Sequence, residues 1–287
     1  MRPLLAAALA VVAAGCGGVR PAATAATVPP SVRVPDFTHV LVVVFENREA
    51  NDVAASPQAA TFRALGRRYA TLTSYDAVAH PSLPNYLALV SGSTHGIASD
   101  CTDCVVHARS LADTLAASGR TWKTYAEGLP YPGFAGADSG RYAKKHVPFL
   151  YFAGVDRRRV VPFAQLARDV RARRLPDFAL VVPDLCHDMH DCSIATGDAW
   201  LRAHVAPLAR SPALAGGVVF VVFDEGASSE GGGGQVEALA LGPTVRRGSV
   251  FSRPTNHYGL LRTVEDAWGL PRLGRSRTAQ PIGGIWK

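Results

Sequence analysis

Four unbroken apolar runs limit what this chain can fold into more than any other feature: residues 39–45 (HVLVVVF), 178–182 (FALVV), 218–223 (VVFVVF) and 238–241 (ALAL). A strand with one wet face alternates apolar and polar side chains, so a run without alternation must be covered on both faces. Helical patterns lie between the runs, over residues 56–69, 85–90, 110–118, 162–173, 196–209 and 258–268. Strands alternating with helices in this way predict an α/β fold, with a mainly parallel central sheet and helices on both of its faces. The 287 residues leave room for one large domain or two small ones, and with no internal repeat a single domain is expected. Hydrophobic residues at 48% against 18% charged residues exclude a disordered chain.

The first residues read as an export signal. Met1-Arg2 precedes an apolar stretch over residues 3–14, too short to span a bilayer as a helix, and small residues lead into Cys16. Cys16 stands where bacterial lipoprotein signals carry the cysteine that is lipidated, which makes residues 1–16 the signal and Cys16 a membrane tether. Cleavage further on, near residues 22–26, would give a soluble product instead. The expected location is therefore outside the cytoplasm, as a cell-surface lipoprotein or a secreted protein. Residues 17–35 read as a Pro/Ala-rich tether and residues 36–287 as the folded domain.

Without Cys16 four cysteines remain, an even number in an exported chain, which favours disulfides. Local pairing, Cys101 with Cys104 and Cys186 with Cys192, is the simplest of three connectivities. A zinc site is the rival. Haem attachment is excluded, because Val105 rather than histidine follows Cys101-x-x-Cys104. A net charge of +7 suits an anionic partner, yet no long basic run occurs and no nucleic-acid partner is expected; Arg157-Arg158-Arg159 reads as a solvated turn.

The residues immediately after the apolar runs carry the chemistry. The first run ends in Glu46-Asn47, the second in Pro183-Asp184 with His187 and Asp188-Met189-His190-Asp191 just beyond, and the third in Asp224-Glu225. In open parallel sheets ligands bind outside the carboxyl ends of the strands, so these segments converge. One acid after a strand is commonly a turn or cap residue. Three such clusters, one of them with two histidines, favour a metal site. Ser82 stands just before an apolar helical segment, as an N-cap or as a nucleophile. A hydroxyl at a helix N-terminus is well placed to attack a phosphate, whose charge the free amides and the helix dipole stabilise. The nearby acids tip the choice toward catalysis.

Phe45-Glu46-Asn47-Arg48, His80-Pro81-Ser82-Leu83-Pro84-Asn85-Tyr86, Lys144-Lys145-His146-Val147-Pro148, Asp188-Met189-His190-Asp191, Phe223-Asp224-Glu225 and His257-Tyr258 together resemble the bacterial phosphoesterase family. That family includes phospholipases C and secreted acid phosphatases and lies within the alkaline phosphatase superfamily. The likeness is greatest to secreted acid phosphatases of the phosphatidylinositol 3-phosphatase type. It spans nearly the whole domain and implies an alkaline-phosphatase-like fold. It also implies that Glu46, Asn47, Asp224 and Glu225 hold a divalent metal ion, with Asp188, His190 and His257 at a second metal or leaving-group site. Ser82 matches the nucleophile, Asn85 a phosphate-oxygen ligand, and Lys144 and His146 phosphate or leaving-group contacts. Where two-metal relatives have an Asp-His pair this chain has Asp224-Glu225, so one ion can suffice. Cys186 and Cys192 flank the Asp188–Asp191 cluster, where a disulfide would fix its geometry and free thiols would bind metal.

The implied chemistry is phosphoryl transfer, in which a cation lowers the pKa of the attacking hydroxyl and neutralises phosphate oxygens. Oxygen and imidazole ligands admit Ca, Mg, Mn, Zn or Fe. Ser82 attacks phosphorus, His190 or His146 protonates the leaving group, and water activated by metal or by His257 hydrolyses the phosphoserine. The expected activity is a phosphomonoesterase acting on phosphorylated small molecules or phosphoinositides. The alternatives are a phospholipase C or other phosphodiesterase, and a noncatalytic lipoprotein that binds an anion. His39, His95 and His107 read as structural.

Overall fold

In a computed structural model describing residues Arg33–Lys287, the four apolar runs are strands at Val40–Phe45, Phe178–Val182, Val218–Phe223 and Ala238–Leu241. Every residue in them is buried. Ala70–Leu72, Trp122–Ala126, Val160–Pro162 and Ser249–Phe251 complete an eight-stranded sheet. Across it, the strands beginning at residues 249, 70, 238, 218, 40, 178, 122 and 160 lie in that order. Ala238–Leu241 pairs antiparallel with both neighbours, while every other pairing in the sheet is parallel. The sheet is thus mainly parallel, as expected; its one reversed strand is invisible in an unbroken run, which encodes burial and not direction.

Both faces of the sheet are covered. Successive strand residues point to opposite sides, and Phe45 and Phe223 meet Phe62 of the Ala60–Arg68 helix with ring centroids 5.3 and 5.8 Å apart. Phe45 also meets Trp200 of the Ile194–Trp200 helix at 5.9 Å. On the opposite face Phe220 meets Trp286 at 6.1 Å. Burying each such side chain contributes about 1.5–3 kcal/mol, so the sheet and its two flanking layers dominate stability.

The Ser82–Ser91 helix is buried at all ten residues and packs against the His257–Trp268 helix. It ends at Gly92, φ 71°, where an added Cβ would lie 2.1 Å from the carbonyl oxygen of Leu273; only glycine fits. The helix expected over residues 196–209 is broken. It runs as Ile194–Trp200, widens into a π turn at Leu201–Val205, and resumes at Ala206–Leu208. Pro207 explains this, having no amide to offer the Ala203 carbonyl.

Both disulfides are local: Cys101–Cys104 with Cα atoms 5.8 Å apart and Cys186–Cys192 with Cα atoms 4.7 Å apart. The expected signal with Cys16, and the tether as far as residue 32, lie outside the described residues. Among the described residues no helix is long and apolar enough to cross a membrane.

Candidate active site

Glu46 and Asp224 each follow a central strand, and the pairing of Phe45 with Phe223 sets them side by side at the carboxyl edge of the sheet. Ser82 opens the buried helix and faces them. Its Oγ donates to Glu46 Oε2 at 3.0 Å, with Glu225 Oε1 at 3.4 Å. Ser82 is therefore not a capping residue. Pro81 occupies the N-cap position, and the Leu83 amide donates to Asp100 Oδ1 at 2.9 Å. The hydroxyl sits at the positive end of a helix dipole and among carboxylates, a combination that serves an incoming anion and a cation together.

Glu46, Asp224 and Glu225 are all buried. Asp224 Oδ1 accepts from the amides of Asn47 at 3.3 Å and Glu225 at 2.6 Å, whereas its buried Oδ2 has no protein partner. Burial, and then the charges of Glu46 and Glu225, push the Asp224 carboxyl well above the carboxylate range. Three carboxylates around one hydroxyl, one of them with an orphaned oxygen, are an all-oxygen donor set. That fits a hard divalent cation. Asn47 supports the same corner: its backbone is left-handed, φ 52°, a conformation asparagine tolerates.

His146 approaches the same Glu46 oxygen as Ser82. Its Nε2 is 3.3 Å from Glu46 Oε2 and its Nδ1 is 3.4 Å from Asp188 Oδ2, with the ring stacked on Tyr86 at 5.2 Å. Burial alone would depress its pKa, but the Glu46 and Asp188 carboxylates carry it to about 9. Burial raises the Asp188 carboxyl; for Glu46 burial is outweighed by His146, which holds it low. Glu46, His146 and Asp188 are close enough to hold a metal ion. His146 turns a different nitrogen to each carboxylate, while its Nε2 and Asp188 Oδ2 are buried without a hydrogen-bond partner.

Three expected contacts are placed differently. Asn85, expected to bind a phosphate oxygen, spends its carboxamide on the preceding loop: Oδ1 accepts from Val78 and Ala79 amides at 2.9 and 3.1 Å, and Nδ2 donates to the Ala79 and Pro81 carbonyls at 2.7 and 3.3 Å. Lys144, expected at the phosphate, donates to the Thr102 carbonyl at 2.5 Å and lies over Tyr151. Its neighbour Lys145 faces the site instead, 3.0 Å from Asp100 Oδ2 and 3.5 Å from His190 Nε2. His257, expected to activate water, has both ring nitrogens engaged. Nε2 donates to the Asp224 carbonyl at 2.7 Å, so Nδ1 accepts from the Tyr75 hydroxyl at 3.0 Å; burial lowers its pKa to about 4. It props Asp224 from behind.

His190 stands at the rim, with Nδ1 2.7 Å from Asp191 Oδ1. Asp188 accepts the His190 amide at 2.8 Å and, through its own carbonyl, the Glu46 amide at 2.8 Å. Arg48 donates to the carbonyls of Met189 at 3.1 Å and Cys192 at 3.2 Å, tying the disulfide loop to the first strand. His187 turns away into a separate, partly exposed cluster with Glu127 and Asp184. His39 bonds the Pro176 carbonyl and His95 bonds Ser91, both structural contacts.

Four site residues escaped the sequence reading. Tyr86 donates to Glu46 Oε1. His80 Nδ1 is 2.6 Å from Glu225 Oε2, and its other nitrogen bonds the Ser228 carbonyl. Asp100 and Lys145 complete the group. The signal for Tyr86 was its spacing, one turn after Ser82 on the same helix face; nothing near Asp100 marks it.

The model of the phosphoesterase family matches residues 54–271. The chain is similar to a phosphatidylinositol-3-phosphatase of Mycobacterium tuberculosis, 35% identical over 88% of this chain and 84% of the relative. It is also similar to an acid phosphatase of Aspergillus fumigatus, 30% identical over 83% of this chain and 56% of the relative, so it spans little more than half of that longer protein. Among solved structures, a protein in the alkaline phosphatase superfamily from Vibrio parahaemolyticus superposes with a TM-score of 0.61 at 14% identity, covering 88% of this chain and 72% of the other, a likeness of fold.

Proposed function

Because this chain belongs to the phosphoesterase family, and so is a hydrolase of phosphoric ester bonds, we propose that it is a metal-dependent phosphomonoesterase acting through a covalent intermediate on Ser82. The observation that carries this reading is the Ser82 hydroxyl, at the N-terminus of a buried helix and 3.0 Å from a buried carboxylate. Glu46, Asp224 and Glu225 would hold the cation, with Asn47 beside them. A bound divalent ion would supply two things, a lower pKa for the Ser82 hydroxyl and neutralisation of the nonbridging phosphate oxygens. Ser82 passes its proton to a carboxylate it already faces, Glu46 at 3.0 Å or Glu225 at 3.4 Å. It attacks phosphorus in line, its O–P bond forming as the ester O–P bond breaks, and takes a proton back when water displaces its oxygen from phosphorus. His190, held at the rim by Asp191, gives its proton to the departing alcohol and takes one from the water that then hydrolyses phosphoserine. His146 and Tyr86 fix the Glu46 carboxylate, and His257 and the Asn47 amide fix Asp224.

The substrate class is a phosphorylated small molecule or a phosphoinositide headgroup, supported by the name of the bacterial relative. Export, to the cell surface through Cys16 or into the medium, is supported by the leading segment and by two disulfides. Rapid acid quench with a labelled monoester should trap phosphate on Ser82, and Ser82→Ala should cut turnover about a thousandfold or more. Near-normal turnover in that variant would sink the nucleophile assignment. Faster hydrolysis of phosphatidylcholine than of any monoester would move the function to the phospholipase C alternative.

A further inference from the structure

Two consecutive lysines do different work because they lie on a tight 3-10 turn, Lys144–His146. Lys144 points into the protein and pins the loop closed by Cys101 and Cys104 through the Thr102 carbonyl, 2.5 Å away. That loop begins at Asp100, which uses both carboxylate oxygens: Oδ1 accepts from the Leu83 amide at 2.9 Å and Oδ2 faces Lys145 Nζ at 3.0 Å. One carboxylate thus links the amide next to the Ser82 nucleophile with the ammonium of Lys145. The ammonium's other neighbour is His190 Nε2 at 3.5 Å. Lys145 and Asp100 are partly exposed, with side chains 20% and 27% accessible, so the pair sits at the mouth of the site rather than in the core.

Building on the phosphomonoesterase reading, we propose that Lys145 binds a nonbridging oxygen of the phosphoryl group, that Asp100 positions it, and that the pair selects dianionic monoesters over diesters. A monoester carries a second negative charge where a diester carries a neutral ester oxygen, and an ammonium discriminates between the two. His146 is buried between two carboxylates; Lys145 is the cation that reaches the same space from the rim, with its side chain 20% accessible. Asp100 serves as a relay between the helix terminus and the lysine, so the ammonium keeps one position relative to Ser82. The lysine releases Asp100 in part when phosphate arrives, and the Leu83 amide keeps the carboxylate in place.

The test compares kcat/KM for p-nitrophenyl phosphate and bis-p-nitrophenyl phosphate in the full chain with divalent metal supplied, alongside calorimetric binding of inorganic phosphate. Lys145→Gln should lower monoester kcat/KM and phosphate affinity about 10- to 100-fold, the value of a charge-assisted hydrogen bond. The diester should fall much less, so the monoester-to-diester ratio drops at least about tenfold. Lys145→Arg should restore most of the ratio, and Asp100→Asn should raise monoester KM more than it lowers kcat. Equal losses on both substrates, or unchanged phosphate affinity in Lys145→Gln, would overturn the assignment. Failure of the wild type to turn over any monoester would instead count against the phosphomonoesterase reading, and phosphate binding would still judge Lys145.

Discussion

Replacing Asp224 by Asn should stabilise the protein in chelator while abolishing its response to metal. Asparagine keeps an acceptor for the Asn47 and Glu225 amides, which approach Oδ1 at 3.3 and 2.6 Å. It removes a negative charge that burial and the neighbouring Glu46 and Glu225 make costly. Two unit charges about 4 Å apart interact by about 4 kcal/mol at an effective dielectric of 20; partial protonation of the cluster and relaxation leave a net relief of roughly 1–3 kcal/mol. In a domain of this size 1 kcal/mol shifts Tm by about 2–4 °C, so the variant should melt roughly 2–12 °C above wild type in EDTA. With divalent metal at about 100 times its Kd the wild type gains about 2.7 kcal/mol, the variant far less, and the order of the two melting points narrows or inverts. Differential scanning fluorimetry with and without metal measures both, with phosphatase activity followed in parallel. A variant that melts below wild type in EDTA, or a wild type indifferent to every divalent ion tried, would refute the reasoning that these carboxylates are a cation site.

Glu237, which lines a small cavity with Phe62, Arg63 and Thr71, has its pKa raised by burial to about 7. The folded state holds its proton more tightly than the unfolded chain, so this group's contribution to stability falls as pH rises from about 4.5 through about 7. Glu237→Gln should therefore gain relative to wild type between urea midpoints taken at pH 5 and pH 8, by up to about 3 kcal/mol, and an equal midpoint difference at both values would reject this. Reducing Cys186–Cys192, or the double Cys→Ser variant, should cost about 2–3 kcal/mol from loop entropy and lower kcat by displacing Asp188 and His190; unaltered activity would deny the loop a positioning role. Nonreduced mature protein should show no alkylatable thiol at these positions. Cys16→Ser should release cell-bound protein to the medium if Cys16 carries a lipid, whereas equal partition of both forms into detergent rejects the anchor.

Much of the architecture was legible because burial on both faces writes itself into sequence as unbroken apolar runs. Trp122–Ala126 was not, since Lys123 and Thr124 interrupt its run; the fold accommodates them with a 2.5 Å Lys123–Asp169 ion pair and full burial of Thr124. The site's acids were legible through their place after strands. The placements of Asn85, Lys144 and His257 were not: the loop over residues 78–81 folds back onto Asn85, Lys144 is turned by one residue of turn geometry, and His257 is held by contacts distant in sequence. Lys144 and Lys145 differ by only one position on a turn, and no periodicity says which of them turns toward Asp100 and His190.

The reversed strand has a consequence for how such a protein can change. Every parallel pairing obliges the chain to cross to the opposite edge of the sheet before it returns, which fixes the minimum length of the link. Between Val218–Phe223 and Ala238–Leu241 the pairing is antiparallel, so the chain leaves and re-enters the sheet at the edge where Ser82 lies. Residues 227–232 of that link are exposed, and Ser228 meets His80 there. Lengthening or recomposing this segment would reshape the mouth of the site while leaving the strand register untouched, making it the natural place to graft a new substrate range.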